Sequence, residues 1–395
     1  MTEFATAKQL EQQFTLPVYP QLDFEPVRGE GAWLIDANGR RLLDMYGGHA
    51  VAVLGYNHPA LLDAVKAQIT TLPFQSNAVA LDVRAAAARK LVNFAPAQIS
   101  HAFFVNSGAE ANENALRLAF LATGRKRVVA VEHGFHGRTA AAAAVTWGSA
   151  KRWYAFPNLP FDVHFVPRND IEAALRSCDA ETAAVIVEPV QGVAGAFDLD
   201  RQFLQALATS AREAGALFIA DEVQSGMGRC GTAFSIEHAD VDADIITAAK
   251  SLGGGLPCGA VLTTPAIADV CRFGDLGTTF GGGPLAAAAI NAVIDTINDD
   301  GLIANARERE AQIRATCVTG PVKAVQGRGL LTGLVCEPAA KLVRNALLEQ
   351  NILTGTSGDP HVVRLLAPLT IGEADIAILA AALKNINSDG TYEKV

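Results

Sequence analysis

Two polar residues with the chemistry to act on a bound ligand follow short apolar runs. Asp221 comes directly after the run 217–220, and Lys250 comes directly after the run 245–249. Apolar runs of this length are too short for helices and are typical of buried parallel strands. In an open α/β sheet, ligands bind outside the carboxyl ends of such strands. The sequence therefore predicts an acid and a lysine on the same side of a sheet.

This acid and lysine suit one cofactor, pyridoxal 5'-phosphate. A lysine holds that cofactor as a Schiff base, and the ring nitrogen needs an anionic partner to remain protonated and accept electrons. A carboxylate beside the nitrogen favours its charged form. Asp221 and Lys250 could fill these two roles. For the pair alone, the alternative interpretation is a polar strand end and a surface lysine.

A second candidate site lies where a predicted strand turns into a helix. The stretch 103–112 places Ser107, Gly108 and Ala109 at that turn. Unpaired N–H groups and the positive end of the helix dipole bind phosphate readily at such a position. An ordinary serine cap is the alternative interpretation.

Four further residues follow predicted strands or lie within them. Phe135 could stack on a planar ring, although a core position is the alternative, and Arg138 could bind a carboxylate through two parallel hydrogen bonds. Glu188 ends another apolar run. Arg364 lies inside the apolar run 362–366, where an arginine is unusual. A structural ion pair is the alternative interpretation of Arg364.

The composition is that of a soluble globular protein. Half of the 395 residues are hydrophobic and 18% are charged. No apolar run approaches the roughly 18 residues of a membrane span. A net charge of −9 argues against nucleic acid as a partner. The N-terminus lacks the basic and apolar regions of a signal peptide, so we expect a cytoplasmic protein.

Neither the cysteines nor the histidines indicate a metal site. The six cysteines show no C-x-x-C spacing and are expected to be reduced thiols. Glu132, His133 and His136 are close in sequence, but Gly134 and Gly137 interrupt any helix that would align them. We therefore predict no bound metal.

The order of apolar runs and helical windows predicts an α/β fold. Seven apolar runs recur, at 102–105, 128–131, 163–166, 183–187, 217–220, 245–249 and 259–262. This alternation predicts a mostly parallel sheet flanked by helices in a large domain. We expect an N-terminal arm and hairpin over 1–50, a large cofactor-binding domain over 51–284 and a small α+β domain over 285–395. The hairpin is expected to pack with the small domain.

Together the motifs resemble the class III, or omega, aminotransferases, which are fold-type I pyridoxal phosphate enzymes. The resemblance extends over nearly the whole chain and is carried by FFVNSGAEANENALRLA, FHGRT, EPVQG, ADEVQSGMGRCG, ITAAKSLGGGLPCGA and GTTFGGGP. Within the class, LDMYGGHAVAVLGYNHP and TGTSGDPHVVRLLAPL resemble the acetylornithine aminotransferases, and especially a group that takes N-acylornithines. The resemblance implies an enzyme of arginine biosynthesis.

The resemblance also implies how the cofactor is held. Lys250 would bind it covalently and move a proton between substrate and cofactor carbons, while Asp221 would pair with the ring nitrogen. The ring would lie between Val223 and Phe135, and Gln224 would bond to its hydroxyl group.

By the same resemblance, the phosphate would be bound by Ser107, Gly108 and Ala109. Thr279 would reach the phosphate from a second copy of the chain. The last role requires a homodimer with shared active sites.

The substrates implied are an N-acylornithine, acetyl or succinyl, and 2-oxoglutarate. Arg138 would bind the distal carboxylate, and Arg364 the α-carboxylate of 2-oxoglutarate or glutamate. His49 and Glu188 are further candidates for substrate binding. Transamination of ornithine or 4-aminobutyrate, an aminomutase reaction and a non-catalytic regulatory role are the alternatives.

One position departs from the family. Many relatives carry a glutamate directly after EPVQG that can pair with the second arginine, whereas this chain has Val193. Valine cannot pair with Arg364. We therefore hypothesise that Arg364 is used differently here, for example by contacting the acyl group of the substrate, with an effect on substrate preference.

Overall fold

The computed structural model describes residues 6–392. The first five residues of the predicted arm and the last three of the predicted small domain lie outside that range. Among the described helices, none is both long and apolar enough to cross a membrane.

The secondary structure alternates for much of the chain. The strands are β1 (Pro26–Glu30), β2 (Trp33–Asp36), β3 (Arg41–Asp44), β4 (His101–Val105), β5 (Arg127–Val131), β6 (Asp162–Val166), β7 (Thr182–Val187), β8 (Val190–Gln191), β9 (Phe197–Asp198), β10 (Leu217–Asp221), β11 (Ile245–Ala248), β12 (Gly259–Thr263), β13 (Val322–Arg328), β14 (Leu331–Cys336), β15 (Ile352–Leu353), β16 (Gly355–Thr356) and β17 (Val362–Leu365). The helices are α1 (Ala7–Phe14), α2 (Gly47–Ala50), α3 (Pro59–Thr71), α4 (Asp82–Phe94), α5 (Gly108–Thr123), α6 (Ala140–Ala144), α7 (Ser149–Arg152), α8 (Ile171–Leu175), α9 (Arg201–Ala214), α10 (Pro265–Ala268), α11 (Pro284–Asp299), α12 (Leu302–Thr316), α13 (Ala340–Glu349) and α14 (Glu373–Lys384). Short 3₁₀ helices cover Ser235–Ala239 and Lys250–Gly253.

All seven predicted apolar runs form strands of one sheet. The strand order is β4-β12-β11-β10-β7-β5-β6. β12 runs antiparallel to both of its neighbours, and the other neighbouring pairs are parallel. The predicted α/β class with a mostly parallel sheet is therefore confirmed.

The strands of this sheet are apolar throughout because both of its faces are covered. Val128 and Ala130 pack on one face in the same apolar cluster as residues of α5. Val129 and Val131, the alternate residues of β5, pack on the other face in the cluster that includes residues of α9. Side chains alternate along a strand, so a strand covered on both faces has no polar side.

The geometry of the sheet brings distant polar residues to one edge. β5, β7, β10 and β11 are parallel, and β4 points the same way because the antiparallel β12 separates it from β11. The residues that follow these five strands therefore meet at a single edge. This is the edge where open α/β sheets bind ligands.

One smaller sheet joins the N-terminal and C-terminal parts of the chain. The Asn38-Gly39 turn joins β2 to β3, and β3 pairs in parallel with β15 from the C-terminal part of the chain. A second sheet, with the order β13-β14-β17-β16, carries Arg364 on β17. The division into an arm and two domains stays a prediction.

Candidate active site

A cavity of about 520 Å³ opens at the carboxyl edge of the central sheet. The cavity brings together most of the residues that the sequence indicates. Those that line it are Ser107, Gly108, Ala109, Phe135, Arg138, Glu188, Asp221, Val223, Gln224 and Lys250. Three predicted residues, His49, Thr279 and Arg364, are not part of that lining.

Asp221 is buried at the floor of the cavity and is held by several donors. Its Oδ2 accepts hydrogen bonds from Asn112 Nδ2 and from His136 Nδ1, both at 2.7 Å, and Oδ1 accepts one from the Val223 N–H at 3.0 Å. Thr247 Oγ1 lies 3.5 Å from Oδ1 but directs its proton to Asn112 Oδ1 at 2.7 Å. A carboxylate has about four lone-pair positions, two on each oxygen. Both positions on Oδ2 and one on Oδ1 accept these hydrogen bonds, so the second position on Oδ1 is open for a further donor.

Asn112 and His136 are functional residues that the sequence analysis missed. Asn112 lies on α5 one turn after Gly108, and its Nδ2 also donates to the His136 carbonyl oxygen at 2.7 Å. His136 was considered only as a metal ligand, but its ring orients Asp221 instead. In the region 6–392 no group of three metal-ligating side chains exists. Two buried donors fixed on one carboxylate indicate a preorganised charge.

Lys250 begins the 3₁₀ helix Lys250–Gly253 in a left-handed conformation, with φ of 46°. A non-glycine residue in this region is strained, and such strain is concentrated at functional sites. Burial lowers the pKa of Lys250 below its ordinary value, although the nearby Asp221 and Glu188 charges act in the opposite direction. A lowered pKa increases the fraction of neutral amine, which is the form that takes up protons.

The turn before α5 has the structure of a phosphate site. Ser107 caps the helix, because its Oγ accepts a hydrogen bond from the Glu110 N–H at 3.2 Å. The cap leaves the hydroxyl proton of Ser107 and the first N–H groups of α5 available for an anion. A Cβ on Gly108 would lie 2.6 Å from Val223, so only glycine allows this close approach. The cap and the anion site are therefore compatible.

Arg138 and Gln224 present unused polar groups to the cavity. The Arg138 guanidinium lies 4.7 Å from the centre of the Trp153 ring and 5.7 Å from that of Phe135. The Oε1 atom of Gln224 is buried and has no hydrogen-bond partner within the part of the chain that the structure describes. A Cβ on Gly192 would fall 1.6 Å from that atom, so Gly192 makes room for the amide. A hydroxyl group on a bound ring would satisfy Gln224 Oε1 as a donor.

Glu188 joins two loops at the wall of the cavity. Its Oε1 accepts a hydrogen bond from the Phe135 N–H at 2.7 Å, and its Oε2 accepts one from the Gly192 N–H at 3.3 Å. Burial raises the pKa of Glu188 to about 7, although the nearby His136 opposes this change. Both oxygens bond to backbone groups, so Glu188 fixes the position of Phe135.

The three residues outside the lining lie in separate places. Arg364 is buried on β17, and His49 lies in α2, where its ring contacts the Tyr46 hydroxyl. Thr279 is exposed in the loop before α11. The cavity therefore does not include Thr279 of its own chain.

Comparisons with known proteins agree with this geometry. The family described as Aminotransferase class-III matches residues 17–386. An acetylornithine aminotransferase from Methanopyrus kandleri is 41% identical over 388 residues, which cover 96% of this chain and 99% of the relative.

Solved structures show the same architecture. An ornithine aminotransferase from Toxoplasma gondii ME49 superimposes with a TM-score of 0.89 at 26% identity, covering 97% of this chain and 95% of that chain. An acetylornithine aminotransferase from Elizabethkingia anophelis superimposes with a TM-score of 0.85 at 29% identity, covering 95% of this chain and 97% of that chain. The predicted resemblance and enzyme class are confirmed. This chain belongs to the class-III aminotransferase family, which implies an enzyme that depends on pyridoxal phosphate.

Proposed function

We propose that the protein transfers the δ-amino group of an N-acylornithine to 2-oxoglutarate, giving the N-acylglutamate semialdehyde and glutamate. The acyl group is acetyl or succinyl, and the reaction belongs to arginine biosynthesis in the cytoplasm. The observation that carries the proposal is the cavity that Asp221, Lys250 and Arg138 line together. The similarity to acetylornithine aminotransferases over nearly the full chain supports it.

The residues of the cavity fit pyridoxal phosphate. When bound, this cofactor supplies an electron sink that acidifies the C–H bond beside the transferred amino group. Asp221 would take the protonated ring nitrogen on its open lone pair, and Gln224 would take the ring hydroxyl. Ser107 and the N-terminal N–H groups of α5 would hold the phosphate, while Val223 and Phe135 would contact the ring.

Lys250 would hold the cofactor and then move the proton. Its Nζ would remove the proton from Cδ of the acylornithine and deliver it to the cofactor carbon. The pKa of Lys250, lowered by burial, suits an amine that must both accept and release a proton near neutral pH. Because the first product leaves before the second substrate binds, the kinetics should be ping-pong.

Arg138 would bind the carboxylate far from the reacting carbon in both half-reactions. We expect Arg138→Leu to lower kcat/KM for the acylornithine and for 2-oxoglutarate by about 10²-fold, because each loses a charge-assisted bidentate contact. Arg138→Lys should recover only part of the loss, since lysine lacks the planar fork. Steady-state kinetics with both substrates measures these effects.

Arg152→Leu is the matched control for that experiment. Arg152 is also exposed, and its guanidinium donates to the Trp147 and Gly148 carbonyl oxygens. Its replacement should leave both values of kcat/KM unchanged. Equal losses in the Arg138→Leu and Arg152→Leu variants would contradict the assignment of Arg138.

We also propose that the protein acts as a homodimer in which Thr279 serves the partner's phosphate site. Thr279 is exposed, and the adjacent Phe280 is 66% exposed and packs against Phe74 with 5.3 Å between ring centres. Neighbouring exposed aromatic rings are typical of surfaces that another chain covers. Hydrogen bonds from Asn77 Nδ2 to the Thr278 and Gly281 carbonyl oxygens fix this loop against the connection between α3 and α4.

Mixed dimers would test the role of Thr279. Lys250→Ala and Thr279→Val variants should each be strongly impaired. When the two chains are co-expressed, about one quarter of wild-type activity should return, because half of the dimers are mixed and each has one intact site. If Thr279 served its own subunit, no mixed dimer would have an intact site and no activity would return.

A further inference from the structure

Arg364 is a buried cation whose hydrogen-bond partners among the described residues are all neutral. It is 6% exposed. Its Nε donates to the Thr356 carbonyl oxygen at 2.8 Å, Nη1 to the Gly192 carbonyl oxygen at 3.2 Å and Nη2 to the Tyr46 hydroxyl at 2.8 Å. Within residues 6–392 no carboxylate forms a salt bridge with it. A buried charge without a counter-charge is costly, so the site is built for an anionic ligand.

The contacts of Arg364 leave donors for that ligand. Three of the five guanidinium N–H groups are used by the chain, which leaves one on Nη1 and one on Nη2. Two N–H groups on the terminal nitrogens match the two oxygens of a carboxylate. Val193 lines the cavity directly after Gly192, so the guanidinium lies next to the cavity wall.

Tyr46 connects Arg364 to His49. The Tyr46 oxygen accepts a hydrogen bond from Arg364, and its own proton is therefore free to point to His49 Nδ1, which is 2.9 Å away. Nδ1 must then be unprotonated, and His49 carries its proton on Nε2. Burial and the positive charges of Arg364 and Lys250 lower the pKa of His49, which agrees with a neutral ring.

The backbone around Tyr46 and His49 is strained and anchored. Each residue of α2 has a positive φ, and His49 and Ala50, at 64° and 69°, adopt this conformation without being glycine. Asp44 fixes the start of the turn, because its Oδ1 accepts hydrogen bonds from the N–H groups of Tyr46 at 2.8 Å and Gly47 at 2.9 Å. Strain that the surrounding structure maintains indicates a functional position.

We propose that Tyr46 and His49 are positioning residues that hold Arg364 ready for the α-carboxylate of glutamate or 2-oxoglutarate. His49 orients the Tyr46 hydroxyl, and the hydroxyl orients the guanidinium without neutralising it. An acylornithine has no carboxylate beside its reacting carbon and gains nothing from this arrangement. The pair therefore sets specificity in the glutamate half of the cycle. This inference rests on the proposed function for its acylornithine half.

The test compares a binding measurement with two half-reactions. Glutarate, a dicarboxylate that cannot react, is titrated into the cofactor-loaded enzyme by calorimetry. Tyr46→Phe should raise the Kd of glutarate about tenfold or more, the effect expected from losing a hydrogen bond to a charged group. The single-turnover rate constant divided by Kd should fall similarly for glutamate and stay unchanged for N-acetylornithine and N-succinylornithine.

Variants of His49 separate positioning from stability. His49→Asn keeps an acceptor near the position of Nδ1 and tolerates positive φ, so glutarate binding should stay close to wild type. His49→Gly relieves the strain but removes the acceptor. It should weaken glutarate binding severalfold while the melting temperature stays equal or rises. A loss of binding that follows a loss of stability would overturn the inference.

Two comparisons complete the test. Tyr56→Phe removes a hydroxyl that bonds to Asp44 but does not contact Arg364, and should leave the Kd of glutarate unchanged. Tyr46→Phe in an Arg364→Leu background should cause no further loss, because Tyr46 acts through Arg364. An equal rise in the Kd of glutarate in Tyr46→Phe and Tyr56→Phe would overturn the inference. So would an equal fall in the single-turnover rate constant divided by Kd in both half-reactions of Tyr46→Phe. If wild type reacts with glutamate but with no acylornithine, the proposed function fails, while the glutarate and glutamate results still decide the role of Tyr46.

Discussion

Replacing Lys250 with alanine is expected to lower the rate of transamination by about 10³-fold or more. The substitution removes both the covalent anchor and the amine that moves the proton, and general acid–base catalysis alone contributes 10²–10⁴-fold in typical enzymes. Single-turnover measurements with an acylornithine give the rate. Borohydride reduction followed by peptide mass analysis shows whether the cofactor is attached at residue 250.

Lys151→Ala is the control for this experiment, because Lys151 is an exposed lysine on α7 that does not line the cavity. It should keep wild-type rates and the adduct at Lys250. A small amine such as methylamine should partly restore proton transfer in Lys250→Ala. If Lys250→Ala kept more than about a tenth of the wild-type rate, the assignment of Lys250 would be wrong.

Asp221→Asn should lower kcat by about 10²–10³-fold while the protein stays folded. Each unit by which a partner raises a pKa is worth about 1.36 kcal/mol, so losing the anion removes several kcal/mol of preference for the protonated ring nitrogen. In the wild-type protein, Asn112, His136 and Val223 donate to the two carboxylate oxygens of Asp221. Asparagine has only one acceptor oxygen, so it cannot satisfy all of these donors in the same way. Asp221→Glu restores the charge at a displaced position and should give intermediate activity.

Asp244→Asn is a matched control at the opposite end of the same strand pair. The Asp244 carboxylate accepts a hydrogen bond from the Phe218 N–H at 2.8 Å, away from the cavity. This variant should lose some stability and keep its kcat. Similar losses of kcat in Asp221→Asn and Asp244→Asn would show that Asp221 acts through the stability of the sheet.

Features that depend on local sequence could be predicted well. The apolar runs identified the strands of the central sheet, and the rule for parallel strands placed Asp221 and Lys250 at one edge. Strand alternation also explains why the next residue, Glu222, does not join the site. Its carboxylate points away and accepts hydrogen bonds from the Ile236 N–H at 2.7 Å and from Ser225. The direction of β12 could not be predicted, because an apolar run does not specify whether the strand pairs parallel or antiparallel to its neighbours.

Contacts between distant parts of the chain could not be predicted. His136 and Asn112 approach Asp221 only because the fold brings the carboxyl ends of β5 and β10 and the start of α5 close together. Tyr46 and Arg364 are 318 positions apart in sequence. No periodicity or spacing encodes such a pair. The departure at Val193 led to the hypothesis that Arg364 is used differently from its counterparts in relatives, but only the structure identifies Tyr46, Thr356 and Gly192 as its hydrogen-bond partners.

The most direct test of the proposed reaction is one half-reaction of the wild-type enzyme. Purified, cofactor-loaded protein is mixed separately with N-acetylornithine, N-succinylornithine, ornithine and 4-aminobutyrate while the absorbance of the lysine-bound cofactor is followed. We predict rapid loss of this absorbance with one acylornithine and its return on addition of 2-oxoglutarate. Much faster reaction with free ornithine or 4-aminobutyrate would contradict the proposed substrate and leave only the family assignment standing.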